Sequence, residues 1–391
     1  MRGIATVSGW ALIFYLFAPA LLYAGPTTTW DAPTSTNWNN NNNWDAGRPD
    51  ATTDAEIGAI GNGTISIGNQ NQSADYLVLS SAATQDWEVT GTTGVLTLDA
   101  DDDRFNFNTF SSGNGFTIHN ASSFTLTVSA DLAFTANSIL TVAGLTNIIF
   151  AQNGDIALTG SLDLGSTNPG LVPNGNQITL GGPISGTGGF RTFDNGGNGG
   201  EILINGTMAN TFTGTFVVDG ATVTLDKTDG VDAIASDIEI ISGTLLLGGN
   251  DQIADSADLT LAGGTFATGG FDDSLGTLTL TADSVIDFAG GDSILAFDDF
   301  VYVDGTLEIW NWDGNFADGG GNDQLLFDNP PTSDLENIVF FRDNGVTPIN
   351  FPTGITGNEV LPIPEPSSII GGSLLGLAAM GHLWRRRRKK T

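Results

Sequence analysis

The feature that most constrains the fold is a series of short β-type segments that recur along the chain at nearly regular intervals. Each holds three to five alternating β-branched and apolar residues between Gly, Asn or Asp. Ile238-Glu239-Ile240, Leu259-Thr260-Leu261 and Leu278-Thr279-Leu280 have centres 21 and 19 residues apart, which is a solenoid period. Such short strands bury few side chains, so they must stack on equivalent strands of neighbouring coils. The sequence therefore predicts an all-β, right-handed parallel β-helix.

A sandwich of antiparallel hairpins is the alternative arrangement of the same segments. Its support is a series of Asn-Gly dipeptides, the strongest two-residue hairpin signal. They lie at 62–63, 114–115, 153–154, 174–175, 195–196 and 205–206. The same dipeptide also fits a left-handed corner between coils. We favour the β-helix because the segments are shorter than sandwich strands usually are.

Composition limits both the partners and the means of stabilisation. All 44 acidic residues lie between Gly25 and Pro366, where only five basic residues oppose them. Such a negative field repels nucleic acid and attracts divalent cations, so we expect no nucleic-acid partner. Cysteine is absent, so stability must come from a large core or from stacked repeats rather than from disulfides. The 40% hydrophobic content argues against a disordered chain.

The N-terminus has the order of charges and apolar residues that is typical of a secretory signal peptide. Arg2 precedes an uncharged stretch, residues 3–22, and small residues follow it. We expect cleavage after Ala24, with Ala18-Pro19-Ala20 as the alternative site.

The C-terminus combines a short motif, an apolar run and a basic cluster. Pro364, Glu365 and Pro366 form the motif, and an uncharged run extends from Ser368 to Trp384. The cluster that follows consists of Arg385, Arg386, Arg387, Arg388, Lys389 and Lys390. An apolar run before such a cluster is typical of a stop-transfer anchor. The run is marginal for a permanent span, which needs about 20 residues.

This order closely resembles the PEP-CTERM sorting signal of Gram-negative bacteria. The resemblance implies a partner, the membrane-embedded protease-transpeptidase exosortase, which cuts at the Pro-Glu-Pro motif. It also implies that the precursor is held transiently in the inner membrane and then moves to the cell envelope, the outer surface or the exterior. PEP-CTERM systems are similarly associated with exopolysaccharide. An ordinary C-terminal tail anchor is the alternative.

A second resemblance lies within the repeats. Residues 210–225, NTFTGTFVVDGATVTL, resemble the autotransporter-associated β-strand repeat, and the glycine-rich stretch 181–190 fits the strand that leads into it. Arg191-Thr192-Phe193-Asp194 replaces the lysine-rich segment expected next. Trp30, Trp38 and Trp44 resemble the Trp-rich opening of PEP-CTERM proteins that carry this repeat. We expect these indoles to cover the first coil; the other interpretation is that they stack on sugar rings.

Five regions follow from these patterns. They are a signal peptide with its helix (1–24), a Trp- and Asn-rich N-terminal cap (25–53), the β-helix repeats (54–330), a C-terminal cap and linker (331–361), and the sorting signal with its short transmembrane helix (362–391).

Catalytic chemistry has little support in the sequence. His119 and His382 are the only histidines and there is no cysteine, which nearly excludes a Ser or Cys triad and a histidine-rich metal site. Asp272-Asp273 and Asp298-Asp299 are candidate acid–base pairs for a carbohydrate-active β-helix enzyme. Adjacent strand residues point to opposite faces, and no basic residue lies nearby to bind an acidic sugar. We therefore expect no enzyme activity.

Calcium is the metal that the acidic loops favour, although we expect no obligatory cofactor. Asp101, Asp102 and Asp103 lie in one loop, and Asp318 and Asp323 lie in a glycine-rich one. Neither loop has EF-hand spacing, and solvated turns are the alternative.

The function predicted from these observations is structural or adhesive. The chain would be an exported cell-envelope or extracellular-matrix protein, associated with exopolysaccharide. A β-helix polysaccharide lyase or glycoside hydrolase and an autotransporter passenger-like adhesin are the alternatives.

Overall fold

The computed structural model describes residues 27–30, 35–57, 61, 63–74, 76–98, 118–120, 123, 125–134, 148–151, 154–194, 197–316 and 318–364. The predicted signal peptide and the sorting signal from Glu365 onward lie outside these residues. Within them, no helix has the length and apolar character needed to cross a membrane. Two short 3-10 helices, Asn41–Asn43 and Leu335–Asn337, are the helical elements of the described chain.

The rest of the regular structure is β-strand. The first strands are β1 (Thr27–Thr29), β2 (Asp54–Ile57), β3 (Thr64–Gly68), β4 (Gln72–Ala74), β5 (Leu77–Leu79), β6 (Trp87–Gly91), β7 (Val95–Leu98), β8 (Ile118–Asn120), β9 (Leu126–Val128) and β10 (Asp131–Phe134). They are followed by β11 (Ile148–Ala151), β12 (Ile156–Leu158), β13 (Leu162–Asp163), β14 (Gly170–Val172), β15 (Gln177–Leu180), β16 (Ile184–Ser185), β17 (Phe190–Thr192), β18 (Glu201–Gly206), β19 (Phe216–Lys227) and β20 (Ile238–Leu247). The last are β21 (Leu259–Leu261), β22 (Thr265–Ala267), β23 (Asp273–Leu280), β24 (Ser284–Asp287), β25 (Ser293–Tyr302), β26 (Leu307–Trp310), β27 (Asp323–Asn329), β28 (Ile338–Phe340), β29 (Thr353–Thr356) and β30 (Glu359–Pro362).

Parallel pairing joins equivalent strands of successive coils into long ladders. One ladder contains β1, β2, β5, β8, β11, β14, β17, β19, β20, β21, β23 and β25. The second contains β3, β6, β9, β12, β15, β18, β19, β20, β22, β24, β26 and β28. A third face pairs β4, β7, β10, β13 and β16, and later β23, β25 and β27. The predicted all-β parallel solenoid is confirmed.

The predicted repeat spacing is also confirmed. Glu239 pairs with Thr260, and Thr260 pairs with Thr279. The alternative of antiparallel hairpins is wrong for these strands, because the ladders are parallel. The ladders extend past residues 54–330 at both ends, since β1 pairs with β2 and β28 pairs with β26.

An Asn-Gly dipeptide forms a corner between coil faces rather than a hairpin. Asn174 and Gly175 have φ values of 51° and 84°, in the left-handed region. They lie between β14 and β15, which belong to different ladders. Asn and Gly adopt this conformation at low cost, so the dipeptide turns the chain from one face to the next.

Alternation along each strand builds the core. Leu259 and Leu261 are fully buried, whereas Thr260 between them is partly exposed. In the middle of the molecule the rings of Phe190, Phe212 and Phe216 fill the interior, with centroids 5.5 to 6.4 Å apart. Each coil therefore covers the apolar side chains of the next, as stacked repeats require.

Both ends of the described solenoid are covered. At the N-terminal end, Trp30, Trp38 and Trp44 form an edge-to-face cluster with centroids 5.0 Å apart. At the other end, β29 and β30 form an antiparallel hairpin, and β30 pairs with β27. These elements shield strand edges that would otherwise invite pairing with another chain.

Candidate functional site

Side chains on the turns link successive coils through backbone amides. The Asp229 carboxylate accepts a hydrogen bond from the amide of Asn250 at 3.1 Å, and Asn250 Oδ1 accepts from the amide of Asp272 at 2.9 Å. Asp272 in turn accepts from the amide of Ile294 at 2.6 Å. Backbone amides at turns and at the start of a strand are thereby satisfied. This series stabilises consecutive coils without disulfides.

The same device recurs at other turns. Asp237 accepts from the amide of Asp258 at 3.1 Å, and Asp258 accepts from the amide of Thr277 at 2.7 Å. Asp155 and Asp283 make equivalent bonds to the following coil. These aspartates thus have a structural use. Sequence reasoning missed it, because Asp and Asn are so frequent in this chain that their spacing of 21 to 22 residues does not stand out.

Buried polar side chains replace the strand ladder on the third face. Between β16 and β23 the described chain has no regular strand there, only an isolated bridge between Ile234 and Ile253. Gln252, which is fully buried, accepts from the amide of Lys227 at 2.7 Å. Asp273 accepts from the amides of Gln252 and Ile253 at 3.0 and 3.2 Å. These side chains provide the backbone partners that a neighbouring strand would otherwise supply.

Two ionisable groups of this region have shifted pKa values. Burial raises the pKa of Asp273 to about 7, against the opposing effect of the amides that it accepts from. The ammonium of Lys227 donates to the carbonyls of Asn205 and Met208 at 3.0 and 2.8 Å. Burial lowers the pKa of Lys227. Both groups lie inside the protein, with 2% and 3% of their surface exposed, so a large substrate does not reach them.

The candidate acid–base pairs do not converge. Asp272 is exposed, whereas Asp273 is buried on the opposite side of the strand. Asp298 and Asp299 are both exposed on β25. The sequence from Thr228 to Phe341, which contains both pairs, has no basic residue.

Of the predicted calcium residues, the structure describes Asp318 and Asp323. Asp323 is buried and accepts from the amides of Asp313 at 2.7 Å and Ser293 at 3.3 Å, while Asp318 is exposed. Burial raises the pKa of Asp323 to about 6. Within the described ranges, no three Asp, Glu, His or Cys side chains lie together as a metal site would require. Asp101, Asp102 and Asp103 lie outside those ranges.

The glycine-rich loop before β27 is instead held by Glu359. This side chain is 3% exposed and accepts from the amide of Gly320. Burial raises the pKa of Glu359. Gly319, Gly320 and Gly321 all have positive φ, a conformation that orients backbone amides towards an anion. The carboxylate therefore stabilises the loop against β30.

The N-terminal tryptophans do not present a sugar-stacking surface. Trp30 and Trp38 are fully buried and Trp44 is 4% exposed. Trp44 Nε1 donates to the carbonyl of Trp38 at 2.8 Å, which fixes the cluster. A polar groove of roughly 470 Å³ lies beside this cap, between the segment 36–39 and the end of β3 with its turn, 66–70. No sequence pattern indicated this groove.

The chain is similar over part of its length to a known adhesin. It is 29% identical over 136 residues to the adhesin BmaC autotransporter of Brucella suis biovar 1 (strain 1330). The match covers 35% of this chain and 4% of that adhesin, so the chain spans a small part of the relative's length. No protein-family model and no solved structure matches. The similarity and the parallel solenoid together support the resemblance to autotransporter-type β-strand repeats.

Proposed function

We propose that this chain is an exported structural or adhesive protein of the cell envelope or extracellular matrix. The observation that carries the proposal is its partial similarity to an autotransporter adhesin. The solenoid that this chain forms is consistent with such a role. A fold that stacks coils gives a long, regular surface, which suits repeated weak contacts with a matrix.

The arrangement of charge supports a scaffold role. The acidic side chains that link coils lie on turns and keep an exposed negative surface. Only five basic residues lie between Gly25 and Pro366, too few to form a patch for phosphate backbones. Divalent cations would bridge this surface to acidic polysaccharide or to another copy of the chain. Association with exopolysaccharide is therefore part of the proposal, with calcium as the candidate bridging ion.

Sorting by an exosortase-type transpeptidase is the proposed route to the surface. The motif at Pro364, Glu365 and Pro366 and the basic cluster at 385–390 support it at the level of sequence. The precursor would be held in the inner membrane by the apolar run and released after cleavage.

A passenger-like adhesin that uses another export route is the second candidate, since the similarity is to an autotransporter. The two differ in their dependence on Glu365. Loss of that side chain blocks release only if the Pro-Glu-Pro motif is the processing site.

The experiment compares the parent organism with a strain that lacks this chain. Antibody against residues 35–361 should label intact parent cells and their matrix, and the deletion strain should show reduced matrix retention or surface attachment. Re-expression of the full chain should restore both. Confinement of the protein to the cytoplasm, or unchanged attachment and matrix in the deletion strain, would contradict the proposal.

A further inference from the structure

The polar groove beside the N-terminal cap has the size of a small-molecule site. Its volume of roughly 470 Å³ lies within the range of about 300–1,000 Å³ that is usual for ligand pockets. One wall is the cap segment that contains Thr36, Asn37 and Asn39, and the other contains Ser66, Asn69 and Gln70.

Backbone hydrogen bonds hold the two walls in register. The amide of Ser66 donates to the carbonyl of Thr36 at 2.7 Å, and the amide of Trp38 donates to the carbonyl of Ser66 at 2.9 Å. Trp38 anchors the cap segment because its indole is fully buried. The two walls of the groove are therefore held in place by backbone hydrogen bonds and by the buried Trp38 side chain.

Side chains cross the groove at one end. The Asn39 amide contacts Gln70 Oε1, and Arg48 contacts Asn39 Oδ1. Elsewhere, polar groups face the groove without internal partners. Across the parts of the chain that the structure describes, the side chains of Thr36 and Asn69 make no hydrogen bond. They can bond to a ligand without breaking a contact of the folded protein.

The chemistry of the lining selects a class of ligand. None of the described residues that line the groove is charged, in a chain with 44 acidic residues, although Arg48 contacts the lining residue Asn39 at one end. An anionic ligand would meet the repulsive field of the protein, offset only at one end by Arg48, which is already bonded to Asn39. A cationic ligand would meet no carboxylate among the described lining residues. Amide and hydroxyl side chains both donate and accept hydrogen bonds, as sugar hydroxyls do. A neutral, hydroxyl-rich ligand is the best match.

We propose that the groove binds a segment of neutral glycan. This inference rests on the proposed function, for which it names a contact site and a ligand class. Trp30, Trp38 and Trp44 are buried and cannot stack on the sugar, so hydrogen bonds carry the recognition. Single-site binding is then weak, and firm attachment depends on many copies engaging one matrix.

The test measures binding of the purified full chain to immobilised hexasaccharides. Glucose, mannose, xylose and N-acetylglucosamine hexamers are the neutral probes, and hexagalacturonate is the anionic probe. The double variant Thr36→Ala, Asn69→Ala should keep the melting temperature of the wild type, because neither side chain has an internal partner. It should bind the best neutral probe about tenfold more weakly, as expected for two lost hydrogen bonds.

Asn42→Ala is the matched control, because Asn42 is an exposed cap residue outside the groove. It should bind as the wild type does. The inference is overturned if no neutral hexamer binds, if hexagalacturonate binds as tightly, or if the double variant binds as the wild type does. Matrix retention of the protein in cells is scored separately. If the wild-type protein is retained in the matrix but the double variant binds hexamers as the wild type does, the proposed function stands and the glycan inference fails. If the wild type is not retained although it binds a neutral hexamer and the double variant does not, only the proposed function is rejected.

Discussion

The buried carboxyl group of Asp273 should make the protein less stable as the pH rises from 5 to 7. Asp273 is 2% exposed, and burial raises its pKa from 3.8 to about 7. A raised folded-state pKa means that the folded protein keeps a proton that the unfolded chain has already released. Stability from this group is therefore complete below pH 3.8 and is lost as the pH rises towards 7.

The size of the effect follows from the shift. One pKa unit corresponds to about 1.4 kcal/mol. Because the folded group is already half deprotonated at pH 7, the free energy of unfolding should fall by about 2 kcal/mol between pH 5 and pH 7 through Asp273 alone. Asp323, whose pKa burial raises to about 6, contributes in the same direction below pH 6. The substitution Asp273→Asn removes the titrating group and should remove its share of the slope.

The amide of the variant cannot reproduce every contact of the carboxylate. Asp273 accepts from the Ser274 amide through its second oxygen at 2.8 Å, and an Asn nitrogen would face that donor. Losing this bond costs about 1–2 kcal/mol at every pH. The informative quantity is therefore the stability of Asp273→Asn relative to the wild type at each pH. From pH 5 to pH 7 this relative stability should increase by about 2 kcal/mol.

The assay is urea unfolding at pH 5, 6 and 7 at constant ionic strength. Asp298→Asn is the control, because it removes one negative charge from an exposed position on the neighbouring strand β25. It should parallel the wild type. The reasoning is refuted if Asp273→Asn also parallels the wild type, or if wild-type stability rises between pH 5 and pH 7.

The remaining predictions concern the core, sorting and cations. Leu261→Asp should lower the free energy of unfolding by several kcal/mol, because it places an unpaired charge against neighbouring coils. Thr260→Asp, on the outer side of the same strand, should lower it by less than about 1 kcal/mol. Equal thermal stabilities of the two variants would contradict the stacked-coil arrangement. Glu365→Gln should leave the precursor in the inner membrane, and recovery of normally processed protein from this variant would remove the sorting hypothesis. Millimolar calcium should raise the melting temperature more than sodium chloride of equal ionic strength does. This additional rise should disappear when the aspartates at 101–103 and Asp318 are replaced by Asn. Equal rises in the two salts would mean that these loops only make the protein soluble and bind no calcium specifically.

The solenoid was predictable because its signal is local and repeated. Glu239, Thr260 and Thr279 mark outward positions of successive strands, and the pairing of these residues follows directly from the sequence spacing. Alternation of apolar and polar residues also places Leu259 and Leu261 in the core. Every coil gives the same information, so a single irregular segment does not hide the pattern.

The polar features were not predictable in the same way. Asp229, Asn250 and Asp272 are spaced like the coils, but Asp and Asn are so frequent in this chain that their periodicity does not stand out. Gln252 and Asp273 are buried where the third face has no regular strand, between β16 and β23. No local sequence pattern indicates this gap. The groove depends on a bridge between Asn37 and Ser66, two residues without a shared motif.

These cases have a common physical basis. Within the ladders each coil satisfies the backbone of the next, so the side chains only need to be apolar inside and soluble outside. Where a ladder ends or a strand is missing, backbone groups need other partners, and polar side chains with specific geometry appear. Asp273 fills such a gap inside the solenoid, and Ser66 lies in β3, the first strand of the second ladder. In a repetitive chain, the departures from the repeat are therefore where titration and ligand binding should be sought.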